Sequence, residues 1–304
     1  MTILITGGTG LIGGRLSEIL ISNGFLVKLL SRFPEKYPNN ANVFKWDINK
    51  GIIDIKAFEN VSVIIHLAGE NIGSKRWTKK RKEKILISRL KSLNLLLQTI
   101  VNFNISIDTF IYSSAIGYYG TYTTEKIFKE EDIHGDDFLA DVCYNCEKTA
   151  LEFQNKNIRT VLIRTGIVLS NKGGALKKMV KPTKLGINAP LGLGTQYMPW
   201  IHIDDLCQIY INAIENNLFI GAYNAVSPNI CTNFDFSKTL SEILKKPFFL
   251  PNIPSICLKI IFGEMSSVLL YGSRISSEKL INTGFNFQYS KLYDALNNLL
   301  IKKK

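Results

Sequence analysis

Histidine and cysteine are scarce in this chain and follow no ligand pattern. The three histidines are His66, His134 and His202, and their spacing is not that of metal ligands. The five cysteines are odd in number and scattered, apart from one Cys143-x-x-Cys146 pair that no second pair accompanies. Zinc sites and disulfide frameworks need repeated spacings. We therefore expect no metal site, no disulfide chemistry and a reducing, cytoplasmic location.

Long apolar runs are also missing. The first apolar stretch is only one strand long before it meets glycine, so we expect no signal peptide, no membrane span and no membrane partner. Hydrophobic residues make up 46% of the 304 residues, which is typical of a soluble globular protein. This length allows one large domain or two moderate ones.

Positive charge is in excess, with a formal net charge of +12. Much of the excess lies in solvent-type positions such as 79–82 and the tail 302–304, and asparagine, isoleucine and lysine are abundant throughout. A solvated basic surface is the favoured interpretation, so we expect no nucleic-acid partner. RNA binding is a hypothesis that rests on charge alone and would show steep salt dependence.

The start of the chain predicts a nucleotide-binding βαβ unit. Residues 2–5 read as a buried parallel strand, and glycines follow that permit a tight turn, close approach of a pyrophosphate and close helix packing. A helix over 11–22 comes next, and its free N-terminal amides point at bound phosphates. The residues expected to hold the diphosphate are Gly7, Gly10, Leu11, Ile12 and Gly13.

The end of the second strand predicts which dinucleotide binds. The strand over 25–30 ends in Ser31 and Arg32, and the next acid is Glu35. An NAD site places an acidic residue near this point to bind the ribose hydroxyl, whereas an arginine accommodates a 2′-phosphate. The sequence therefore predicts NADP(H) as the cofactor.

A further strand, over 61–69, ends in small residues, so we expect Leu67, Ala68 and Gly69 to pass beside the cofactor. His66, inside this apolar strand, is interpreted as a hydrogen-bonded core residue. Arg89 lies on the apolar stripe of a helix over 78–101, and a phosphate or carboxylate should face its charge.

Strands alternate with helices as far as residue 164, which predicts an α/β fold with a doubly wound parallel sheet. From 165 the pattern loosens, and the glycine-rich stretch 173–199 is interpreted as an irregular substrate lid that closes with Val168 over the nicotinamide. We divide the chain into a Rossmann domain at 1–165, to which 200–230 returns, and a smaller α+β substrate domain at 166–199 and 231–304.

Several motifs resemble those of extended or atypical short-chain dehydrogenases/reductases, and more narrowly of epimerase-like NAD-dependent epimerase/dehydratase proteins. They lie at 7–13, 67–72, 76–82, 88–89, 117–120, 137–140, 173–176 and 200–206. The resemblance covers essentially the whole chain. It implies a Rossmann-type NADP(H)-binding domain with a small C-terminal substrate domain, and it leaves the substrate undefined.

The same resemblance implies a Ser, Tyr and Lys catalytic set. Tyr144 and Lys148 have the spacing that places both on one helix face, and Ser114 fits the serine. In the register of the family, however, the tyrosine position falls on Leu139 and the lysine position on Cys143. Both assignments stay open. Other candidate proton donors or substrate contacts are Tyr118, Tyr119, Glu70 and Asp204.

These observations favour an NADP(H)-dependent oxidoreductase or epimerase that acts on a small polar, sugar-like substrate, as a monomer or homodimer. The alternative is a non-catalytic NADPH-binding scaffold or regulatory protein, because the Tyr and Lys pair falls out of register.

Overall fold

A computed structural model describes residues 1–37 and 42–301. The basic tail 302–304 lies outside the described residues. The strands in the described residues are β1 (Thr2–Thr6), β2 (Leu26–Ser31), β3 (Val43–Asp47), β4 (Ile52–Ile53), β5 (Val61–His66), β6 (Thr109–Ala115), β7 (Ile127–Phe128), β8 (Arg159–Thr165), β9 (Ile167–Leu169), β10 (Trp200–His202), β11 (Gly221–Ala225) and β12 (Arg274–Ile275).

The α-helices are α1 (Leu11–Ser22), α2 (Lys79–Asn102), α3 (Phe138–Leu151), α4 (Gly174–Lys184), α5 (Ile203–Glu215), α6 (Asn233–Ile243), α7 (Ser255–Phe262), α8 (Ser267–Leu270), α9 (Glu278–Ile281) and α10 (Leu292–Leu300). Local signals fix several helix ends. Thr78 accepts a hydrogen bond from Arg81 N at the start of α2, and Asp137 accepts from Leu139 N and Ala140 N at the start of α3. Such caps satisfy amides that have no partner within the helix.

Eight strands form the central sheet, in the order β11-β8-β6-β5-β1-β2-β3-β4. All neighbours are parallel except β4, which runs antiparallel to β3. The five residues of β1 are all buried, because helices cover both faces of a parallel sheet. The predicted doubly wound parallel sheet is confirmed.

One apolar cluster lies on each face of this sheet. Leu16 and Leu20 of α1 pack in the first cluster together with residues of α5 and α10. Leu93 of α2 and Val142 of α3 pack in the second. The carboxyl ends of the strands therefore open between two layers of helices, where ligands bind in open α/β sheets.

The segment after β8 is more regular than the sequence suggested. The stretch predicted as an irregular lid contains α4, which turns Leu176 and Thr183 inward. Apolar residues at 176, 179 and 180 have helical spacing, but flanking glycines and the internal Pro182 obscured it. Strands β9 and β10 pair with each other on either side of this segment.

The C-terminal residues form a small helical region. It is tied to the rest of the protein where β12 pairs with β7, and Arg274 forms an ion pair with Glu125 at 2.8 Å. Strand β11 joins the edge of the central sheet beside β8. The exact domain boundaries stay predictions. Among the helices of the described residues, none combines the length and the apolar character needed to cross a bilayer.

Candidate functional site

The turn between β1 and α1 is closely packed around its glycines. Gly7 has a φ of +71°, and a Cβ there would lie 2.9 Å from Ala68 N. A Cβ on Gly13 would lie 2.4 Å from Gly7 O, and Gly10 N donates to the same oxygen at 2.9 Å. Side chains at these positions would displace the turn, so α1 can begin directly against the end of β1.

Gly8 belongs to the same cradle, although the sequence did not single it out. A Cβ on Gly8 would lie 2.4 Å from Leu29 Cδ2 on β2. A glycine is required at position 8 because the turn packs directly against the neighbouring strand. Its only signal in the sequence is the pair of adjacent glycines, which does not reveal which side chain lies opposite.

The first turn of α1 is suited to an anion. Its N-cap is Gly10, which has no side chain to occupy the leading amides, and the first turn carries no acid. Leu11 and Ile12 are half-buried there. Gly173 and Gly174 lie over Leu11, where their Cβ atoms would approach its methyl groups to 3.4 and 3.1 Å. Unpaired amides and the helix dipole favour a phosphate at this place.

Three cations gather at the end of β2. The guanidinium of Arg32 lies 5.8 Å from the centre of the Phe33 ring, and the ammonium groups of Lys36 and Lys45 lie 4.9 and 5.8 Å from it. Lys45 Nζ also donates to Arg32 O at 2.5 Å. Ser31 is buried, and its Oγ accepts from Phe33 N at 3.1 Å.

The sequence predicted Arg32 but missed the two lysines. Lys45 comes from β3, whose register places it opposite Ser31. That neighbour relation depends on the order of strands in the sheet, which residue spacing does not reveal.

The end of β5 lies against the glycine turn. Leu67 N donates to Thr6 O at 3.1 Å, and Ala68 N donates to Thr6 Oγ1 at 3.3 Å. Both Leu67 and Ala68 are half-buried, and Gly69 is exposed. Val168 of β9, also half-buried, packs against the first core cluster.

Arg89 of α2 lies beside the end of β5. A Cβ on Gly69 would lie 2.9 Å from the guanidinium carbon of Arg89. Nη1 of Arg89 donates to Glu70 O at 3.1 Å and to Ile85 O at 3.0 Å. The sequence predicted a phosphate or carboxylate opposite this arginine. Among the described residues, two carbonyl oxygens accept from it and orient the charge without neutralising it, so a phosphate opposite Arg89 stays a prediction.

His66 is a core residue, as predicted. Its ring is fully buried and forms hydrogen bonds with Thr6 Oγ1 at 2.7 Å and Ser92 Oγ at 3.0 Å. Burial lowers the pKa of His66 to about 3, because the charged ring would lose its hydration, and the nearby Arg89 adds to this shift. The imidazole is therefore neutral at physiological pH.

Ser114 belongs to a buried polar network. Its hydroxyl donates to Glu147 Oε1 at 2.5 Å, and Arg164 binds the same carboxylate through Nε at 3.0 Å and Nη2 at 2.8 Å. Arg164 Nη1 also donates to Tyr119 OH at 2.9 Å. Glu147 and Arg164 are each 4% exposed. The serine therefore helps to satisfy a buried ion pair between α3 and β8.

Tyr144 and Lys148 lie on an exposed face of α3. The Tyr144 ring is 40% exposed and stacks on His134 with 4.2 Å between ring centres. Lys148 is exposed one turn further along. In the described residues, no hydrogen bond joins either side chain to Ser114, whose hydroxyl donates to Glu147.

Leu139 and Cys143 occupy the face of α3 that packs on the turn after β6. A Cβ on Gly117 would lie 3.4 Å from Leu139 Cβ and 3.7 Å from Cys143 Sγ. Burial raises the pKa of Cys143 to about 12, so its thiol is protonated. These are the two positions to which the family register assigned the tyrosine and the lysine.

The remaining candidates have partners of their own. Glu70 accepts from Arg81 Nη1 at 2.5 Å, and this hydrogen bond lowers the pKa of the carboxyl. Asp204 accepts from Arg15 Nε at 2.6 Å, which links α5 to α1. Both carboxylates are therefore ion-pair partners within the fold.

The two tyrosines differ in exposure. Tyr119 is fully buried and donates to Asn224 Oδ1 at 2.7 Å. Tyr118 is half-buried, with the Arg164 guanidinium 3.5 Å from its ring centre. Burial raises the pKa of both phenols above the usual value, so both are protonated at neutral pH.

A protein-family model matches the part of the chain that forms most of the central sheet. Residues 3–226 match the family model described as the NAD dependent epimerase/dehydratase family. The chain belongs to this family. Residues 253–299 match a second model, described as a domain of unknown function, DUF1731. The predicted resemblance to epimerase-like proteins is confirmed.

Three known relatives each match over 98% or more of this chain. The chain is 35% identical over 306 residues to epimerase family protein YfhF of Bacillus subtilis, covering 100% of this chain and 99% of that protein. The structure of human epimerase family protein SDR39U1 with NADPH superimposes with a TM-score of 0.88 at 31% identity, covering 98% of this chain and 99% of that chain. A nucleoside-diphosphate sugar epimerase from Corynebacterium glutamicum gives a TM-score of 0.80 at 29% identity, covering 99% of this chain and 58% of that chain.

Proposed function

We propose that this protein binds NADP(H) and acts as an NADP(H)-dependent oxidoreductase or epimerase on a small polar, sugar-like substrate. The observation that carries the proposal is the pairing of a close-packed glycine turn with a cluster of cations one strand away. The first suits a diphosphate, and the second suits an additional phosphate.

The residues present fit the cofactor on steric grounds. The turn leaves no room for Cβ atoms at Gly7 or Gly13, so a diphosphate can approach the backbone closely. Arg32, with Lys36 and Lys45 around the same Phe33 ring, offers charge-assisted hydrogen bonds to a 2′-phosphate. The human relative that was solved with NADPH supports this assignment.

A bound NADPH would supply the hydride for reduction. The chain's own groups would hold the dinucleotide: the α1 amides at the diphosphate, Arg32 at the 2′-phosphate, and residues 67–69 along one wall. Arg89, which lies against Gly69, would hold positive charge beside the cofactor. Residues 173–174, which cover Leu11, would limit the access of water to the diphosphate.

A second candidate function is NADPH binding without catalysis. Its specific support is the surface of α3 at Gly117, where Leu139 and Cys143 lie. Tyr144 and Lys148 are exposed, and the Ser114 hydroxyl is bound to Glu147. A bound cofactor would then stabilise the fold or a surface for a partner.

The experiment that separates the two candidates measures turnover. The purified full chain is incubated with NADPH or NADP⁺ and a panel of sugar nucleotides and small carbonyl compounds. Cofactor absorbance and the stereochemistry of the products are followed. We expect turnover or epimerisation of at least one panel member. Tight NADPH binding without any reaction across the panel would overturn the enzymatic part of the proposal and favour the second candidate.

A further inference from the structure

The C-terminal half exposes an unusual number of large apolar side chains. Six of them, in the segments 185–193 and 249–260, are each more than half exposed, from 56% for Ile187 to 83% for Leu193. We call this set the C-terminal apolar surface. It consists of Leu185, Ile187, Leu193, Phe249, Ile256 and Ile260. Scattered apolar side chains are normal on a protein surface, but a continuous group marks an interaction site.

Backbone contacts bring these side chains into one region. A Cβ on Gly186 would lie 3.6 Å from Pro247 Cγ. Gly192 N donates to Ile253 O at 2.9 Å, and Asn252 Nδ2 donates to Leu193 O at 3.0 Å. Residues 185–193 therefore run beside 247–253, and α7 begins directly afterwards, at residue 255.

Helix α7 has its apolar residues on the outside. It has the sequence SICLKIIF, and Leu258 is its one buried residue. Ile256 and Ile260, four residues apart, share a face of the helix and are 60% and 67% exposed. A surface helix of a globular protein normally turns its apolar stripe to the core. The exposed stripe of α7 is therefore a candidate contact surface.

Within the two segments that carry this surface, the charged side chains have one sign. Residues 181–195 and 243–262 contain no Asp or Glu. They do contain five exposed lysines, which are Lys181, Lys184, Lys245, Lys246 and Lys259. A second copy related by two-fold symmetry would present the same lysines to each other and be repelled. An anionic surface would instead be attracted.

We propose that the C-terminal apolar surface docks on an anionic phospholipid bilayer. The apolar side chains enter the boundary between headgroups and acyl chains, and the five lysines lie among the lipid phosphates. The apolar side chains come from two separate segments, so no long apolar run appears in the sequence. The expectation of no membrane partner rested on the lack of such a run, and contact with a bilayer surface does not require one. This proposal is independent of the proposed catalytic function.

The test is vesicle flotation of the full chain with phosphatidylcholine vesicles that contain or lack phosphatidylglycerol. We expect binding to the anionic vesicles at low salt and its loss at high salt. The double variant Phe249→Ser with Ile260→Ser should weaken this binding by roughly 100-fold, since two large apolar side chains no longer enter the bilayer. Lys245→Gln with Lys246→Gln should weaken it by roughly tenfold.

A matched control is Ile133→Ser with Leu218→Ser. Both of these side chains are 84% exposed and lie outside the C-terminal apolar surface. This variant should float like the unmodified protein, and circular dichroism should show every variant folded. The proposal is overturned if the protein does not bind anionic vesicles at low salt, or if the control variant loses binding equally. Light scattering that shows a dimer in solution, which Phe249→Ser with Ile260→Ser dissociates, would assign the surface to a second copy and also overturn the proposal.

Discussion

Two regions of the central sheet differ in how their polar groups are used. One is the nucleotide end, made by the glycine turn at 7–13 and by Arg32 at the end of β2. The other is the α3 end, where α3 packs beside β6 and β8. At the first, no side chain caps the leading amides of α1, and the side chains of Arg32 and Lys36 are exposed. At the second, Ser114, Glu147 and Arg164 bind one another in the interior. The nucleotide end has polar groups to offer to a ligand, whereas those of the α3 end hold the fold together.

This difference shows that a family motif can keep its residue types while the residues take other roles. Ser114 occupies the serine position of the resemblance, yet its hydroxyl donates to a buried carboxylate. Tyr144 and Lys148 keep the helical spacing of a catalytic pair, yet α3 turns them to solvent. The cofactor assignment therefore has stronger structural support than any assignment of a proton donor.

Of the substitutions that test this comparison, we expect the largest effect from one at the α3 end that lowers the stability of the protein. Arg164→Met leaves the Glu147 carboxylate buried without its partner, and we expect the free energy of unfolding to fall by about 3–5 kcal/mol. Denaturant unfolding followed by circular dichroism measures this. The folded fraction should still bind NADPH with an affinity within a few-fold of the unmodified protein.

Lys172→Met is the matched control for Arg164→Met. Lys172 and Glu18 form an ion pair at 3.0 Å, but the two side chains are 64% and 52% exposed. Removal of this pair should cost below about 1 kcal/mol. Equal losses in the two variants, or a selective loss of NADPH affinity in Arg164→Met, would contradict the structural role of the network.

We expect the second largest effect from glycine substitutions at the nucleotide end, which should lower the affinity for NADPH. A Cβ on Gly13 would meet Gly7 O at 2.4 Å, so Gly13→Ala must displace the turn. Calorimetric titration should show NADPH binding about 100-fold weaker. Gly10→Ala, with a separation of 3.2 Å from the same oxygen, should have an intermediate effect.

Gly14→Ala is the control for this series, because its Cβ would meet Gly8 O at an ordinary 3.8 Å. Affinity should then stay within about twofold, and an alanine inside a helix should stabilise the protein slightly. If all three variants bound NADPH equally well, the glycine turn would not be the diphosphate site.

The smallest effect is expected at Tyr144. Its ring stacks on His134 at the exposed face of α3, so Tyr144→Phe should leave NADPH affinity and any turnover within about twofold. Lys148→Met should behave in the same way. Turnover abolished in Tyr144→Phe, with normal cofactor binding, would show that this tyrosine reaches the substrate and would reverse the register assignment.

The parts of the protein that local pattern determines were predicted well. The helix expected over 11–22 is Leu11–Ser22, since glycine spacing and apolar periodicity act within a few residues. The partners of Arg89 could not be predicted, because they are backbone carbonyls. The contact of Lys45 with Phe33 and the bond between Ser114 and Glu147 depend on strand order and on the rotation of α3. Such contacts join residues far apart in the chain.

The most direct test of the cofactor assignment compares NADPH and NADH on the unmodified protein and on Arg32→Ala. The guanidinium of Arg32 suits a 2′-phosphate, which NADPH carries and NADH lacks. We predict that the variant loses roughly 10- to 100-fold in NADPH affinity and changes little in NADH affinity, as calorimetry would record. Equal losses for both cofactors, or no detectable NADPH binding by the unmodified protein, would contradict this account.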